Sequence, residues 1–163
     1  MKLSKEFGFK YAEYSNKEEL NSEDIKLVES AFDAQKSSYS PYSRFSVGAA
    51  ILLSNGEILQ GSNQENGAYP SGLCAERVAL FYAGAKFPNV PIKTIAISAS
   101  FENKPTAEPV PPCGACRQVM IESRNIGKAP IKVIMVGESR IYVIEDVAFL
   151  LPFNFSSVDN AVK

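Results

Sequence analysis

Three cysteines and one glutamate are the residues of this chain whose types and spacing could do chemistry. Cys74-Ala75-Glu76 comes first, and Pro112-Cys113-Gly114-Ala115-Cys116 follows with Cys113 37 residues past Glu76, so the two segments use every cysteine present. Three thiolates suit zinc, which accepts sulfur ligands at a tetrahedral site. A structural zinc site is closed by four Cys or His ligands, yet this sequence has no fourth cysteine and no histidine. The remaining position would be filled by water, which a bound zinc acidifies. The absence of histidine also removes the commonest general base, so proton transfer falls to a carboxylate, and Glu76 stands two residues from a ligand.

Each cysteine segment is expected at a helix start, where free N–H groups and the positive end of the dipole favour anionic sulfur. Pro112 suits such a first turn because it has no N–H to leave unpaired. Three thiolates on one divalent cation leave a net charge of about −1, which weakens the acidification of water unless positive groups compensate. Arg77, directly after Glu76, is the candidate compensator, and Arg117 is a second.

Simpler readings exist for each of these residues. Cys113-Gly114-Ala115-Cys116 alone would fit a redox pair at a helix start, but that leaves Cys74 and Glu76 without a role. A purely structural zinc or interaction module lacks its fourth ligand. Glu76 alone would be an ordinary acid at the positive end of a helix, and Phe45 an ordinary sheet aromatic.

The elements that must position these groups follow from periodicity. A helix is expected from Ser22, with Ser22 as its cap and Ile25, Val28, Ala31 and Phe32 on one face. Phe45 to Leu53 is a β-rich run, Asn55-Gly56 a two-residue hairpin signal, and Glu57 to Gln60 the returning strand. A polar loop from Ser62 to Gly72 leads into a helix from Cys74 to Ala85, then a strand from Ile92 to Ser98. A proline-rich loop from Phe101 to Pro112 precedes a helix from Cys113 to Arg124 and a strand from Ile131 to Val136. Ile141 to Ile144 reads as a further strand and Glu145 to Leu151 as a short helix. In the lead, Phe7, Phe9 and Tyr11 recur at period two and suggest a short peripheral strand. This order implies a mixed sheet with helices packed against its faces, and both cysteine segments fall in turns entering helices, where open α/β sheets gather ligands.

Composition narrows the partners. Seventeen basic residues are scattered among eighteen acids, for a net charge of −1, whereas a polynucleotide binder needs clustered Lys and Arg. Neither a signal peptide nor a membrane span is visible, and unpaired thiols suit a reducing compartment, so a cytoplasmic protein is expected with no membrane and no nucleic-acid polymer as partner.

Cys74-x-Glu76 with Pro112-Cys113-x-x-Cys116 resembles the zinc deaminases, a signature already described for the nucleobase enzymes. The wider resemblance is to the small cytidine deaminases. It runs from about Pro41 to Phe155, through Pro41-Tyr42-Ser43-Arg44-Phe45-Ser46-Val47-Gly48-Ala49-Ala50, Asn63-Gln64-Glu65-Asn66, Cys74-Ala75-Glu76-Arg77, Pro112-Cys113-Gly114-Ala115-Cys116-Arg117-Gln118 and Leu150-Leu151-Pro152.

The resemblance implies a three-layer cytidine-deaminase-like α/β fold with a mixed five-stranded sheet, residues 1–20 as a peripheral extension and 21–163 as one zinc deaminase domain. It implies hydrolytic deamination of cytidine and deoxycytidine in pyrimidine salvage, one zinc per chain held by Cys74, Cys113 and Cys116, and Glu76 as the proton carrier to N3 and to the departing amine. Phe45 would pack on the base, Asn63 and Glu65 would bind the ribose hydroxyls, the Ala75 N–H would meet O2, and the Pro111 carbonyl would receive the amine. A homotetramer is also implied, with Phe155 closing a neighbouring chain's pocket. The chain departs from the family at Gln64, at Phe153-Asn154 and in the longer loop Phe101 to Val110. A blasticidin-type aminonucleoside deaminase is the alternative within the superfamily, and the Asn63-x-Glu65 pair argues against it.

Overall fold

The computed structural model describes residues 3–156. Its elements run β1 (Ala12–Tyr14), α1 (Ser22–Gln35), β2 (Phe45–Leu53), β3 (Ile58–Ser62), α2 (Ala75–Lys86), β4 (Ile92–Phe101), β5 (Lys104–Pro105), α3 (Gly114–Gly127), β6 (Lys132–Val136) and β7 (Ile141–Ile144). The strands form one mixed sheet in the order β1-β7-β6-β4-β2-β3, with β5 added beside β4. Among the described strands only β4 and β6 pair in parallel, and α3 supplies the crossover that a parallel pair requires.

The central strand β2 shows how one run serves two layers. Ala49, Ile51 and Leu53 join the core formed with α2 and α3, while Ala50 and Leu52 join the core formed with α1. Alternating side chains necessarily point to opposite faces of a sheet, so a nine-residue apolar strand is buried on both sides. The result is three layers: α1, the sheet, then α2 and α3 together.

Two glycines set the spacing of those layers. A Cβ at Gly48 would lie 2.0 Å from the Ala31 carbonyl oxygen of α1, and one at Gly61 would lie 2.5 Å from both the Ala75 oxygen and the Ala79 nitrogen of α2. The sheet therefore touches helix backbone directly at these points, and the contact at Gly61 seats the first turn of the helix that follows Cys74.

Several expectations need correction. The sheet has seven strands rather than five; β1 and the two-residue β5 are the short additions. β5 arises because Glu102 and Asn103 both take left-handed backbone, which folds the expected loop back on β4 as a tight hairpin. The N-cap of α1 is Asn21, not Ser22; its side chain accepts from the Asp24 N–H at 2.9 Å. The buried face of α1 is made by Leu27, Val28, Ala31 and Ala34, and Phe32 lies at the surface. In the lead, the ladder to β7 is confined to residues 12–14, while Phe9 stacks on Phe149 at 6.0 Å and Tyr11 meets Tyr142 edge-on at 5.2 Å. β7 has only four residues, so aromatics before β1 engage by side chain instead of by backbone.

Replacing Gly61 by alanine should cost about 3 kcal/mol, or roughly 6–12 °C in thermal midpoint, because helix backbone has to move. Gly84→Ala, on the exposed side of α2 with open space around it, should instead gain about 1 kcal/mol from helix propensity. Thermal melts of the two variants check this pair; equal midpoints would remove the close approach at Gly61.

Candidate active site

Cys74 and Cys113 occupy the N-cap positions of α2 and α3, and Cys116 lies one turn into α3. Both helices pack on the same face of the sheet, which brings their starts together. Cys74 and Cys113 Sγ are 3.9 Å apart, Cys113 and Cys116 Sγ 3.5 Å, and all three sulfurs lie within 4.8 Å of one another. Zinc–sulfur bonds of about 2.3 Å at tetrahedral angles put sulfurs about 3.8 Å apart, so the three thiols fit the metal their chemistry selects. The Cys-x-x-Cys pair is thus not isolated, as a redox pair would be; a third sulfur stands beside it.

The electrostatics of the trio are those of groups sharing protons. A hydrogen bond from the Cys116 thiol, helped by Arg77 and the Cys113 thiol, holds Cys74 down at about 5 in spite of its burial. The same hydrogen bond, together with burial and the nearby charges of Glu76 and Cys74, pushes Cys116 well above the usual thiol range. A divalent cation replacing the shared proton relieves both groups, which is how metal binding couples to thiol ionisation. Arg77 is the positive group in place: its Nη2 lies 3.9 Å from Cys74 Sγ, and its Nε is buried without a partner among the described residues. Arg117 is placed otherwise. Its Nε donates to the Pro112 carbonyl at 2.8 Å and its Nη1 to the Leu150 carbonyl at 3.0 Å, so it braces the loop before Cys113 through backbone oxygens.

Glu76, only 4% exposed, lies on the wall of a cavity of about 790 Å³. Burial raises its affinity for a proton, and the charge of Cys74 adds to this, against the helix N–H that favours its anion. Cys74, Cys113, Phe45, Asn63, Glu65 and Pro111 line the same cavity, so most of the expected site residues converge on one space. Ala75 begins α2 and its N–H is one of the first-turn donors without a partner inside the helix. Pro111 lines the cavity, and the Pro112 carbonyl accepts from Arg117.

Ala75 and Cys116, both fully buried, are outside this lining, and Phe155 stands apart altogether. It is 74% exposed and absent from the lining of its own chain's cavity; its carbonyl accepts from Gln118 Nε2 at 2.9 Å, which fixes the tail against α3.

The polar end of the cavity is built around two side chains. Glu65 Oε2 accepts the N–H groups of Tyr42 at 2.9 Å and Ser43 at 3.3 Å. Hydrogen bonds from Ser43 and these two N–H groups keep its carboxylate below the ordinary range, against the opposing effect of burial. Asn63 Nδ2 donates to the Phe45 carbonyl at 2.8 Å, and its Oδ1 accepts from the Val47 N–H at 2.8 Å. Sequence reasoning missed Tyr69, Leu73 and Ile97 in the lining. Tyr69 sits in a polar loop without periodicity and meets Tyr42 edge-on at 6.0 Å at the cavity.

Comparison with known proteins places this geometry. The family model for the cytidine and deoxycytidylate deaminase zinc-binding region matches residues 21–133. A cytidine deaminase of Sporosarcina psychrophila is 41% identical over 136 residues, 82% of this chain and 92% of its own length. One of Halalkalibacterium halodurans is 47% identical over 96 residues, covering 59% of this chain and 68% of its own. The crystal structure of cytidine deaminase from Burkholderia pseudomallei, 39% identical, superposes with a TM-score of 0.70 over 80% of this chain and 97% of its own. The chain belongs to the cytidine and deoxycytidylate deaminase family.

Proposed function

We propose that this protein catalyses the hydrolytic deamination of cytidine and deoxycytidine, consuming water and releasing ammonia to leave uridine and deoxyuridine. The observation that carries the reading is a cluster of three sulfurs, two of them on the wall of a cavity that the buried Glu76 carboxylate, the Asn63 amide and the Glu65 carboxylate also line. The first group suits attack at C4 of a pyrimidine, and the second suits a sugar.

Cys74, Cys113 and Cys116 hold one zinc, which when bound supplies the Lewis acidity that readies water for attack. Glu76 takes a proton from the attacking water, delivers it to N3, and later passes one to the leaving amine; its burial suits a group that must carry a proton rather than stay ionised. Arg77 offsets the negative charge of the thiolates. Phe45 packs on the base, the Ala75 N–H donates to O2, and the Pro111 carbonyl accepts from the amino group. Glu65 stays ionised as an acceptor for a sugar hydroxyl while Asn63 donates to it. The reaction belongs to pyrimidine salvage. No helix among the described residues is long and apolar enough to cross a membrane, and three reduced thiols suit the cytoplasm.

The active form is a homotetramer in which Phe155 reaches a neighbouring chain's cavity. Supporting this, Phe81 and Tyr82 of α2 and Phe153 and Phe155 of the tail are exposed, more aromatic surface than a monomer has reason to show. Light scattering should give the mass of four chains. Phe155→Ala should lower turnover while its chains regain activity when assembled with Glu76→Gln chains, because each partner supplies what the other lacks; no regain would return Phe155 to an ordinary surface role.

The reading is tested by mixing the purified protein with cytidine, deoxycytidine, CMP and adenosine and following ammonia and absorbance. Ammonia from the first two is expected. Glu76→Gln should retain the fold and about one zinc per chain yet lose turnover by several orders of magnitude, and a variant near parental rate would remove Glu76 from proton transfer. Cys113→Ser should lose both metal and activity; unchanged zinc after dialysis would contradict the ligand assignment.

A further inference from the structure

Three of the four hydrogen-bonding positions of the Asn63 side chain are engaged by the scaffold. A side-chain amide has two acceptor sites on oxygen and two donor hydrogens on nitrogen. Val47 N–H reaches Oδ1 at 2.8 Å, Nδ2 donates to the Phe45 carbonyl at 2.8 Å, and Ser38 Oγ donates to Oδ1 at 2.6 Å. Val47 N–H can only donate and Phe45 C=O can only accept, so the orientation of the amide is settled by obligate partners. With both acceptor sites filled, one Nδ2 hydrogen is left, and Asn63 can meet a ligand as a donor only.

The contact from Ser38 comes from outside the cavity. Ser38 does not line it, is half-buried, and precedes the Pro41-Tyr42-Ser43 turn. Its Oγ lies 3.3 Å from Ser40 Oγ, which lies 3.0 Å from Ser46 Oγ, so three hydroxyls form a chain that ends on Asn63. A hydroxyl has one hydrogen, and the 2.6 Å distance places that of Ser38 on Asn63. Backbone bonds tie the same pieces together: Tyr39 N–H donates to the Asn63 carbonyl at 3.0 Å and Glu65 N–H to the Tyr39 carbonyl at 2.8 Å.

We propose that Ser38 is a positioning residue for sugar recognition: its hydroxyl fills the second acceptor site of Asn63 Oδ1, so that Asn63 presents a single N–H to a sugar hydroxyl whose own proton goes to Glu65. This rests on the deaminase reading of the site. Removing the hydroxyl leaves Oδ1 half satisfied, free to take water or the sugar's proton, and the division of roles between Asn63 and Glu65 is lost. The bonds of Asn63 to Phe45 and Val47 remain, and Glu76 and the sulfurs have no contact with Ser38.

The test measures kcat and KM for cytidine and for 2′,3′-dideoxycytidine, which lacks the hydroxyls, in the parent, Ser38→Ala and Ser38→Thr, with thermal midpoints alongside. Ser38→Ala should raise KM for cytidine roughly three- to tenfold, the scale of one hydrogen bond, with kcat within about twofold. KM for dideoxycytidine should not move, and Ser38→Thr, which keeps the hydroxyl, should restore the parental KM. An unchanged KM for cytidine in Ser38→Ala, or equal rises for both substrates, would overturn the proposal while leaving the deaminase reading intact. A parent protein that deaminates neither substrate would overturn that reading and this one with it.

Discussion

The packing of α2 and α3 on one face of the sheet is the constraint on which the site depends. Each helix contributes its N-terminus, and each N-terminus carries a cysteine where the unpaired N–H groups and the helix dipole favour a thiolate. Neither segment alone provides enough ligands; the third sulfur arrives only because β3 admits α2 closely at Gly61 and the β4–α3–β6 crossover returns α3 to the same side. The electrostatic cost of gathering three sulfurs is visible in the opposite displacements of Cys74 and Cys116. Arg77, one residue past Glu76 on the same helix, is the positive group that the geometry sets against that charge.

At the far end of the cavity the same economy operates with neutral groups. Glu65 is held by two successive N–H groups of the Tyr42-Ser43 turn, and Ser43 Oγ in turn accepts from the Phe45 N–H at 3.0 Å. Asn63 bonds to the backbone on either side of Ser46. The residues that would touch a sugar therefore also fix the start of β2 and with it Phe45, so the aromatic wall and the polar floor are one rigid piece. Side chains locked in this way do not have to be ordered when a ligand arrives, which is where preorganised sites gain their advantage.

Much of this was legible in the sequence because it rests on short-range chemistry. Asn55-Gly56 marks a hairpin, and Gly56 has the left-handed backbone the turn requires, with its N–H on the Leu53 carbonyl at 3.0 Å. The cysteine spacing and Glu76 were visible because few chemistries use that pattern, and the helix starts around them followed from the dipole argument, whereas Pro112 lies one residue before the N-cap Cys113 and not in the first turn as expected. What escaped depends on long-range partners. The ladder of β1 exists because β7, some 130 residues away, has a free edge. β5 needs two non-glycine residues in left-handed backbone, which composition does not reveal. Choosing Asn21 over Ser22 as the cap turned on a one-residue difference between two good capping types, decided by Asp24, which binds both Asn21 Nδ2 at 2.7 Å and Lys132 at 2.6 Å. Ser38 lies among serines in a polar stretch, and nothing in its local pattern singles out the hydroxyl that finds Asn63.

Helix α3 ties the metal ligands to the end of the described chain. Three consecutive residues face three different tasks: Cys116 offers a sulfur, Arg117 bridges the Pro112 and Leu150 carbonyls, and Gln118 holds the Phe155 carbonyl. Farther along, Arg124 grips both carboxylate oxygens of Asp146, whose side chain also accepts from the Ala148 N–H, so the turn at 147–150 is fastened to the same helix. The path of the tail through Leu151 and Phe155 is therefore registered against the loop that carries Cys113, not against the outer strands. Any shift of α3 that moved the Cys113 and Cys116 sulfurs would carry the tail with them.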